Sequence, residues 1–291
     1  MRWAAIALAA GIAASEAAAL ELDARGTELR AFIAARGILS EAVDAGGGHA
    51  LTGIAEAEGG AEFRVLPLPE LEATLGYSAV FQTGQDHRSG EHRGRGRVAL
   101  RPWRPIRLAA GIEFRYSDDL ADENTFRRWG ADAQADWRPQ EVPLIVGAAW
   151  RASRSVFFGV SGDPVETRNE LKALLVSSFP EGWIIQGRIG ALAAWNNSDV
   201  RTRSYSGKGL EAVLAILPAR SLMVGAIGAY ESRNYKGAGS SELWSGMIWV
   251  EVWLLKYAAL EVGVDGVRYT GHQTGDVRSI VRGFAGIRIE I

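Results

Sequence analysis

The sequence contains four histidines, the residue type that acid–base and metal chemistry most often uses, and it contains no cysteine. They are His49, His87, His92 and His272, and Asp86, Glu91 and Asp276 lie within a few residues of three of them. An imidazole beside a carboxylate can transfer protons or bind a divalent metal ion. Histidines in polar loops are more often only solvated, so both interpretations stay open. The absence of cysteine excludes a thiolate metal site and a cysteine nucleophile.

A second set of residues consists of charges that recur at every second position, the spacing that puts side chains on one face of a β-strand. The basic members are Arg93, Arg95, Arg97, Arg101, Arg107 and Arg115. The acidic members are Glu56, Glu58, Glu62, Glu211, Glu231, Glu251, Glu261 and Asp265. If these strands enclose a lumen, the two sets line a pore and set a transverse field across it. The alternative is that the charges pair with one another across neighbouring strands.

The elements that position these charges have a period of two along most of the chain. Residues 71–82, 106–116 and 183–195 alternate apolar and polar side chains over about a dozen positions. A strand that crosses the hydrocarbon core of a membrane needs about 9 to 11 residues, because it is tilted by about 45°. These segments therefore have the length of membrane-spanning strands.

Connections between the strands alternate between short and long. Short breaks fall at 67–69, 102–105, 139–143, 180–182, 218–220 and 254–256. Longer polar stretches fall at 39–48, 84–92, 117–124, 155–167, 196–207, 232–241 and 270–276. Six short turns and seven long loops delimit fourteen strands, and an even number is typical of bacterial outer-membrane barrels.

Aromatic side chains mark two levels along the predicted strands. Those at the ends next to short turns are Trp137, Phe179, Trp183 and Tyr257. Those at the ends next to long loops are Phe81, Tyr116, Trp129, Trp195, Tyr230 and Trp244. Two such rings are typical of membrane barrels, where each lies at one headgroup level. Trp249 is out of register with both rings and is predicted to point inward.

The N-terminus has the pattern of a secretory signal peptide. Arg2 precedes an apolar run over 3–14, and the small residues at 17–19 provide a cleavage pattern. We therefore expect a signal peptide over 1–19 and an outer-membrane β-barrel over 20–291. A membrane anchor is the alternative, although the apolar run is shorter than a spanning helix requires.

Composition excludes several other classes of protein. The 291 residues include 32 Lys and Arg and 34 Asp and Glu, so the formal net charge is −2 and no nucleic-acid partner is indicated. Beyond the N-terminus there is no uncharged run of about 20 residues, which excludes a helical membrane bundle. A soluble β-sandwich would also have period-two strands, but it predicts neither the alternating connections nor the two aromatic levels.

From about Thr27 to Ile291 the chain resembles Gram-negative outer-membrane β-barrels. The segment 284–291 looks like the C-terminal insertion signal of that class, with Gly286, Ile289 and Ile291 at its glycine and two apolar positions. The resemblance implies insertion by the barrel-assembly machinery and an all-β fold, a transmembrane antiparallel up-and-down barrel of about 14 strands in outer-membrane lipid.

We expect such a barrel to be a channel or porin that passes small polar or charged solutes, or an export pore. The alternatives are a structural or accessory barrel of a secretion or polymer-export system, with a periplasmic partner, and an enzyme or metal binder at the rim. Barrel closure would bring the seventh, first and second loops together. The four histidines and their neighbouring acids would then form an omptin-like acid/His site or a site for a divalent metal. A membrane-facing Ser–His pair is disfavoured, because no histidine lies within a predicted strand. We expect no cofactor and no enzymatic activity.

Overall fold

The computed structural model describes most of the chain beyond residue 26. The described residues are 27–44, 48–68, 70–84, 88–119, 124–139, 143–158, 164–177, 185–219, 221–237, 239–271 and 277–290. The expected signal peptide lies outside these ranges and stays a prediction. Among the described residues, no helix has the length and apolarity needed to cross a membrane.

Fourteen strands account for almost all of the described residues. Their bounds are β1 Thr27–Asp44, β2 His49–Leu68, β3 Leu71–Gly84, β4 Arg88–Trp103, β5 Ile106–Asp119, β6 Asn124–Trp137, β7 Leu144–Phe158, β8 Val165–Ser177, β9 Ile185–Ser198, β10 Tyr205–Ala219, β11 Leu222–Tyr235, β12 Gly239–Leu255, β13 Ala258–Gly271 and β14 Val277–Glu290. A single 3₁₀ turn, Arg201–Arg203, precedes β10 within the described part of the chain.

Each strand pairs antiparallel with the next one in the chain, and β1 pairs with β14 to close the barrel. The closing register runs from Phe32 opposite Glu290 to Asp44 opposite Val277. Closure gives every strand a hydrogen-bonded neighbour on both sides, so the backbone groups of the paired positions are satisfied within the sheet, as a lipid environment requires. The predicted closed, fourteen-stranded antiparallel barrel is confirmed.

Large apolar side chains cover the outside of the barrel. Ile112 on β5, Ile189 on β9 and Ile248 on β12 are all exposed, although they lie in the middle of their strands. The six aromatic residues predicted next to the long loops share this outward face, and Trp129 and Trp244 contact the rings of Phe114 and Tyr230 on neighbouring strands at tilted angles. An exposed apolar band with aromatic residues at its edge is the surface that a membrane barrel presents to lipid.

The strands are longer than the sequence pattern predicts, and the loops are correspondingly shorter. Asp44 and His49 bound the first loop, and Gly84 and Arg88 bound the second, so much of the polar stretches 39–48 and 84–92 is strand. Two of the predicted short breaks are wider than these loops. β6 ends at Trp137 and β7 begins only at Leu144, and β8 ends at Ser177 and β9 begins only at Ile185. Polar residues mark where the lipid ends, but the hydrogen-bonded ladder continues beyond that level.

Candidate pore lining

Ion pairs across the strands show which side chains face the lumen. Arg36 of β1 donates hydrogen bonds to Glu56 and Glu58 of β2 at 2.8 and 3.0 Å, and to Glu261 of β13 at 2.9 Å. These groups lie opposite the apolar band, on the inner face. Starting from Arg36, the strand register from one strand to the next and the alternation of side chains along each strand identify the other inward-facing residues. All of the predicted pore-lining residues lie on the inner face. They are Arg93, Arg95, Arg97, Arg101, Arg107, Arg115, Glu56, Glu58, Glu62, Glu211, Glu231, Glu251, Glu261 and Asp265.

The arginines on β4 to β7 face open space within the lumen. The side chains of Arg95, Arg93 and Arg151 are 67%, 53% and 46% exposed, although all three point inward. An inward side chain can be this exposed only where the interior is not filled by other side chains. Water therefore has room beside these arginines. We call this surface the basic wall, and it consists of Arg93, Arg95, Arg97, Arg115, Arg128 and Arg151.

Some arginines of the basic wall are bonded to neutral groups. Arg97 donates a hydrogen bond to Oε1 of Gln134 at 2.6 Å, and Arg128 donates to Oγ of Ser155 at 3.1 Å. Neither forms an ion pair with a carboxylate among the residues that the structure describes. A hollow of about 420 Å³ lies against the wall and is lined by Arg93, Arg95, Arg115, Arg128 and Arg151, with Glu62 and Glu113. Positive charge therefore exceeds negative charge around this hollow.

The acids on the other side of the barrel are buried, and two of them, Glu231 and Glu261, form ion pairs with arginines. Glu231, Glu251 and Glu261 are only 6%, 5% and 6% exposed. Glu231 accepts hydrogen bonds from Arg233 at 2.9 Å and Arg168 at 3.2 Å. The solvent in the lumen therefore meets the arginines more than it meets these carboxylates.

Further acids are paired in the same way. Asp265 accepts from Arg282 at 2.8 Å, and Glu211 contacts Lys172 at 2.7 Å and Arg188 at 3.3 Å. Pairing between nearby strands therefore describes Glu231, Glu211 and Asp265 well. Among the described residues, Glu251 has no ion pair with a cation, and Arg97 and Arg128 have none with an acid. Several further cations face inward and were not among the predicted pore-lining residues, although the same alternation along the sequence marks them: Arg36, Arg128, Arg151, Arg168, Lys172, Arg188, Arg233, Arg282 and Arg288.

A smaller group of arginines lies at the short-turn end of β4 to β6. The backbone N–H of Arg138, just after β6, donates to the carbonyl of Pro105 at 2.6 Å. Burial of the Arg138 guanidinium lowers its pKa from the usual value, and Arg101 and Arg107 nearby lower it further. Three cations therefore lie close together on this part of the rim, with Asp136 beside Arg107.

Two of the four candidate histidines lie in strands, which corrects the loop positions that the sequence predicts. His49 begins β2 and its Nδ1 lies 2.7 Å from Oε1 of Glu41 on β1. His92 lies within β4 on the outer face, where its Nδ1 shares a 2.6 Å hydrogen bond with the hydroxyl of Tyr77. The statement that no histidine lies in a strand is therefore wrong, although the partner of His92 is a tyrosine and not a serine.

The described histidines do not converge. His92 is aligned through Ala79 with Gly59, which lies far along β2 from His49. Gly59 and His49 are ten residues apart, which at about 3.3 Å per residue separates the two rings by roughly 30 Å along the strands. Glu91 faces inward and pairs with Arg93 and Arg115 instead. His87, His272, Asp86 and Asp276 lie outside the described residues, within which no group of three metal-binding side chains occurs.

Comparison with known proteins identifies the fold but no family. No protein-family model matches the sequence, and no curated protein matches it. The structure is similar to OmpT from the outer membrane of Vibrio cholerae, with a TM-score of 0.56, 9% identity, and coverage of 93% of this chain and 99% of that one. It is also similar to the anion-selective porin of Comamonas acidovorans, with a TM-score of 0.54, 10% identity, and coverage of 91% and 100%. A FadL homologue from Pseudomonas aeruginosa matches with a TM-score of 0.52, 9% identity, and coverage of 91% and 90%.

At these identities the likeness shows the fold alone. The prediction of a Gram-negative outer-membrane β-barrel, located in the outer membrane, is confirmed. The expectation that the chain is not an enzyme is wrong as a deduction from its architecture. OmpT, an anion-selective porin and a FadL homologue all share the barrel, so the fold alone does not decide the activity and does not exclude an enzyme.

Proposed function

We propose that the chain is an outer-membrane channel that passes small polar solutes, with a preference for anions. The observation that carries the proposal is the difference in exposure between the two kinds of charge in the lumen. Arg95 and Arg93 are more than half exposed, whereas Glu231, Glu251 and Glu261 are buried. A hydrated lumen with a cationic surface lowers the energy of an anion inside it relative to a cation.

The width of the barrel also supports a conducting lumen. Fourteen strands about 4.8 Å apart and tilted by about 40° close into a cylinder roughly 28 Å across the backbone. Inward side chains shorten this width from both sides, but they do not fill it, since the basic wall faces open space. An accessory barrel of a secretion or polymer-export system would need no ion current of its own.

Insertion by the barrel-assembly machinery and a periplasmic partner stay predictions.

The proposal is tested by ion current through the purified barrel in a planar bilayer. We expect steady conductance, and in a potassium chloride gradient a reversal potential on the side of chloride preference. Replacing Arg93, Arg95 and Arg97 by Gln should move the reversal potential toward cation preference. A silent bilayer would reject the channel and favour the accessory barrel.

A matched control uses three cations on the outer face. Arg127 lies over the rings of Tyr116 and Phe158, and Arg154 and Lys208 share the exposed outer surface. Replacing Arg127, Arg154 and Lys208 by Gln removes the same charge without changing the lumen. An equal shift of the reversal potential in this variant would contradict a selective role for the basic wall.

A further inference from the structure

The inner face of β10 to β14 carries an apolar patch, which is unusual because the interior of a membrane barrel is normally polar. Val213, Ile227 and Met247 lie side by side in register on β10, β11 and β12. Trp249 is the next inward-facing residue after Met247 on β12. Phe284 on β14 is in register with Trp249 through Gly263 of β13, so both rings lie beside the first three residues. We call these five residues the inner apolar patch.

Two of the rings in the patch are held by glycines on neighbouring strands. A Cβ atom at Gly225 would come within 2.1 Å of the Trp249 ring, and one at Gly263 would come within 2.4 Å of the Phe284 ring. Each ring therefore lies against a backbone that has no side chain. This packing fixes two flat apolar surfaces on the inner wall.

The patch is in contact with the water-accessible lumen. Ile227 is 37% exposed although it faces inward. The other exposed large apolar residues in the middle of described strands all face outward. None of the five side chains is buried. Apolar surface left in water costs about 25 cal/mol per Å², so a solute that covers it gains free energy.

The basic wall lies on the other side of the lumen. In the closed ring of fourteen strands, β4 is seven strands away from β11, so Arg93, Arg95 and Arg97 lie diametrically opposite Ile227. The two surfaces also lie at similar depth, because Ile227 is five residues from the short-turn end of β11 and Arg97 is six residues from that end of β4. A solute in the lumen therefore has an apolar surface on one side and guanidinium groups on the other.

Resting on the channel proposed above, we infer that the lumen binds amphipathic organic anions, molecules with a carboxylate at one end and an aromatic or alkyl body at the other. The carboxylate is bound by the basic wall, where Arg97 and Arg128 are bonded only to Gln134 and Ser155 among the described side chains. The apolar body lies on the inner apolar patch.

The size of the gap sets the length of the solute. The backbone diameter is roughly 28 Å, and an arginine side chain on one side and a methionine side chain on the other shorten it to a free gap of roughly 16 Å. A carboxylate hydrogen bond of about 2.8 Å and an apolar contact of about 4 Å leave roughly 9 Å for the molecule itself. An arylalkyl carboxylate such as 4-phenylbutyrate has this length.

The test is block of chloride current in a planar bilayer by 4-phenylbutyrate. Butyrate has the same carboxylate without the ring, and 4-phenylbutanol has the ring without the charge. We expect 4-phenylbutyrate to block at about tenfold lower concentration than butyrate, since covering an aromatic ring is worth at least a factor of ten in affinity. We expect 4-phenylbutanol to leave the current unchanged at the same concentration.

Two paired variants locate the binding surface. Ile227→Asn with Met247→Asn should abolish the tenfold advantage of 4-phenylbutyrate, whereas Ile227→Val with Met247→Leu should keep it. Far-UV circular dichroism establishes that both variants are folded. Arg97→Gln with Arg128→Gln should weaken block by both carboxylates.

The outcomes separate this inference from the channel itself. A conducting barrel that both carboxylates block equally would overturn the inference and leave the channel intact. Equal block by 4-phenylbutanol would overturn the part played by the basic wall. An advantage that survives in the Asn variant would overturn the part played by the apolar patch. Absence of current in the wild-type protein would overturn the channel and this inference together.

Discussion

Arg36 on β1 and Glu261 on β13 form an ion pair across β14, the strand that lies between them. The guanidinium Nε is 2.9 Å from the carboxylate, and Gly286 of β14 is in register with both residues. Because Gly286 has no side chain, Arg36 passes over it. This contact therefore links three strands at the place where the barrel closes.

We expect loss of the Arg36 cation to destabilise the closure. Its side chain is 22% exposed and pairs with Glu56, Glu58 and Glu261, so Arg36→Met leaves three carboxylates without their shared cation. Breaking a buried pair costs about 3 to 5 kcal/mol, and partial exposure reduces the expected loss to about 2 kcal/mol. Urea unfolding in lipid vesicles measures the change. Arg30→Met is the matched control, since Arg30 is 67% exposed and pairs with Glu28 of its own strand.

Gly286 is expected to tolerate no larger residue. A Cβ atom there would lie 2.3 Å from the carbonyl oxygen of Ala35 and 2.6 Å from Cγ of Arg36. We expect Gly286→Val to lower the free energy of unfolding by about 1 to 3 kcal/mol, because the backbone of β1 must move away. Gly283 lies on the same strand with no atom near its Cβ position, so Gly283→Val should have little effect. Equal losses in both variants would indicate a general intolerance of valine in β14.

Gly225 provides a second test of the same kind inside the lumen. We expect Gly225→Val to cost about 1 to 3 kcal/mol, since the added methyl groups collide with the Trp249 ring. Removing the ring in a Gly225→Val, Trp249→Ala double variant should recover part of this loss. The control is Gly228→Val on the same strand, where the Cβ position is open. Without recovery in the double variant, the contact with Trp249 would not be the cause.

The sequence alone predicts much of this barrel because a membrane strand has only two faces. Alternation assigns Arg93, Arg95 and Arg97 to the inner face and Trp129 and Trp244 to the outer one, and the register of the structure agrees with these assignments. Aromatic residues and prolines near the ends of strands identify how many strands there are. These signals are local, so one sequence is enough to detect them.

The features that the sequence analysis missed depend on which strands are neighbours and how far their ladders extend. The polar segment around His92 resembles a loop, yet its backbone pairs with β3 and β5. The inner apolar patch was missed because Val213, Ile227 and Met247 lie on three strands, and each is an ordinary apolar residue in its own segment. Only the register brings them together.

His92 is expected to serve as an aromatic residue of the outer ring. Its imidazole centroid lies 6.2 Å from Tyr77, 5.8 Å from Phe81 and 6.2 Å from Tyr116. We expect His92→Phe to change the free energy of unfolding by less than about 0.5 kcal/mol, because ring contacts persist and the hydroxyl of Tyr77 reaches interfacial water. His92→Ala should cost about 1 kcal/mol. If phenylalanine were as damaging as alanine, the imidazole hydrogen bond would be the important contact.

The closure of the barrel and the positions of its turns predict its direction in the membrane. With fourteen strands, both ends of the described chain lie on the side of the tight turns, such as the one between Trp103 and Ile106. Barrels of this class place their short turns in the periplasm. We therefore expect an epitope inserted after Asp119, at the end of β5, to be labelled on intact cells. An epitope inserted after Trp103 should be labelled only once the outer membrane is opened. Both insertions lie at strand ends, and loss of the fold would appear as loss of strand signal in circular dichroism. Labelling of the Trp103 insertion on intact cells would reverse the assigned direction.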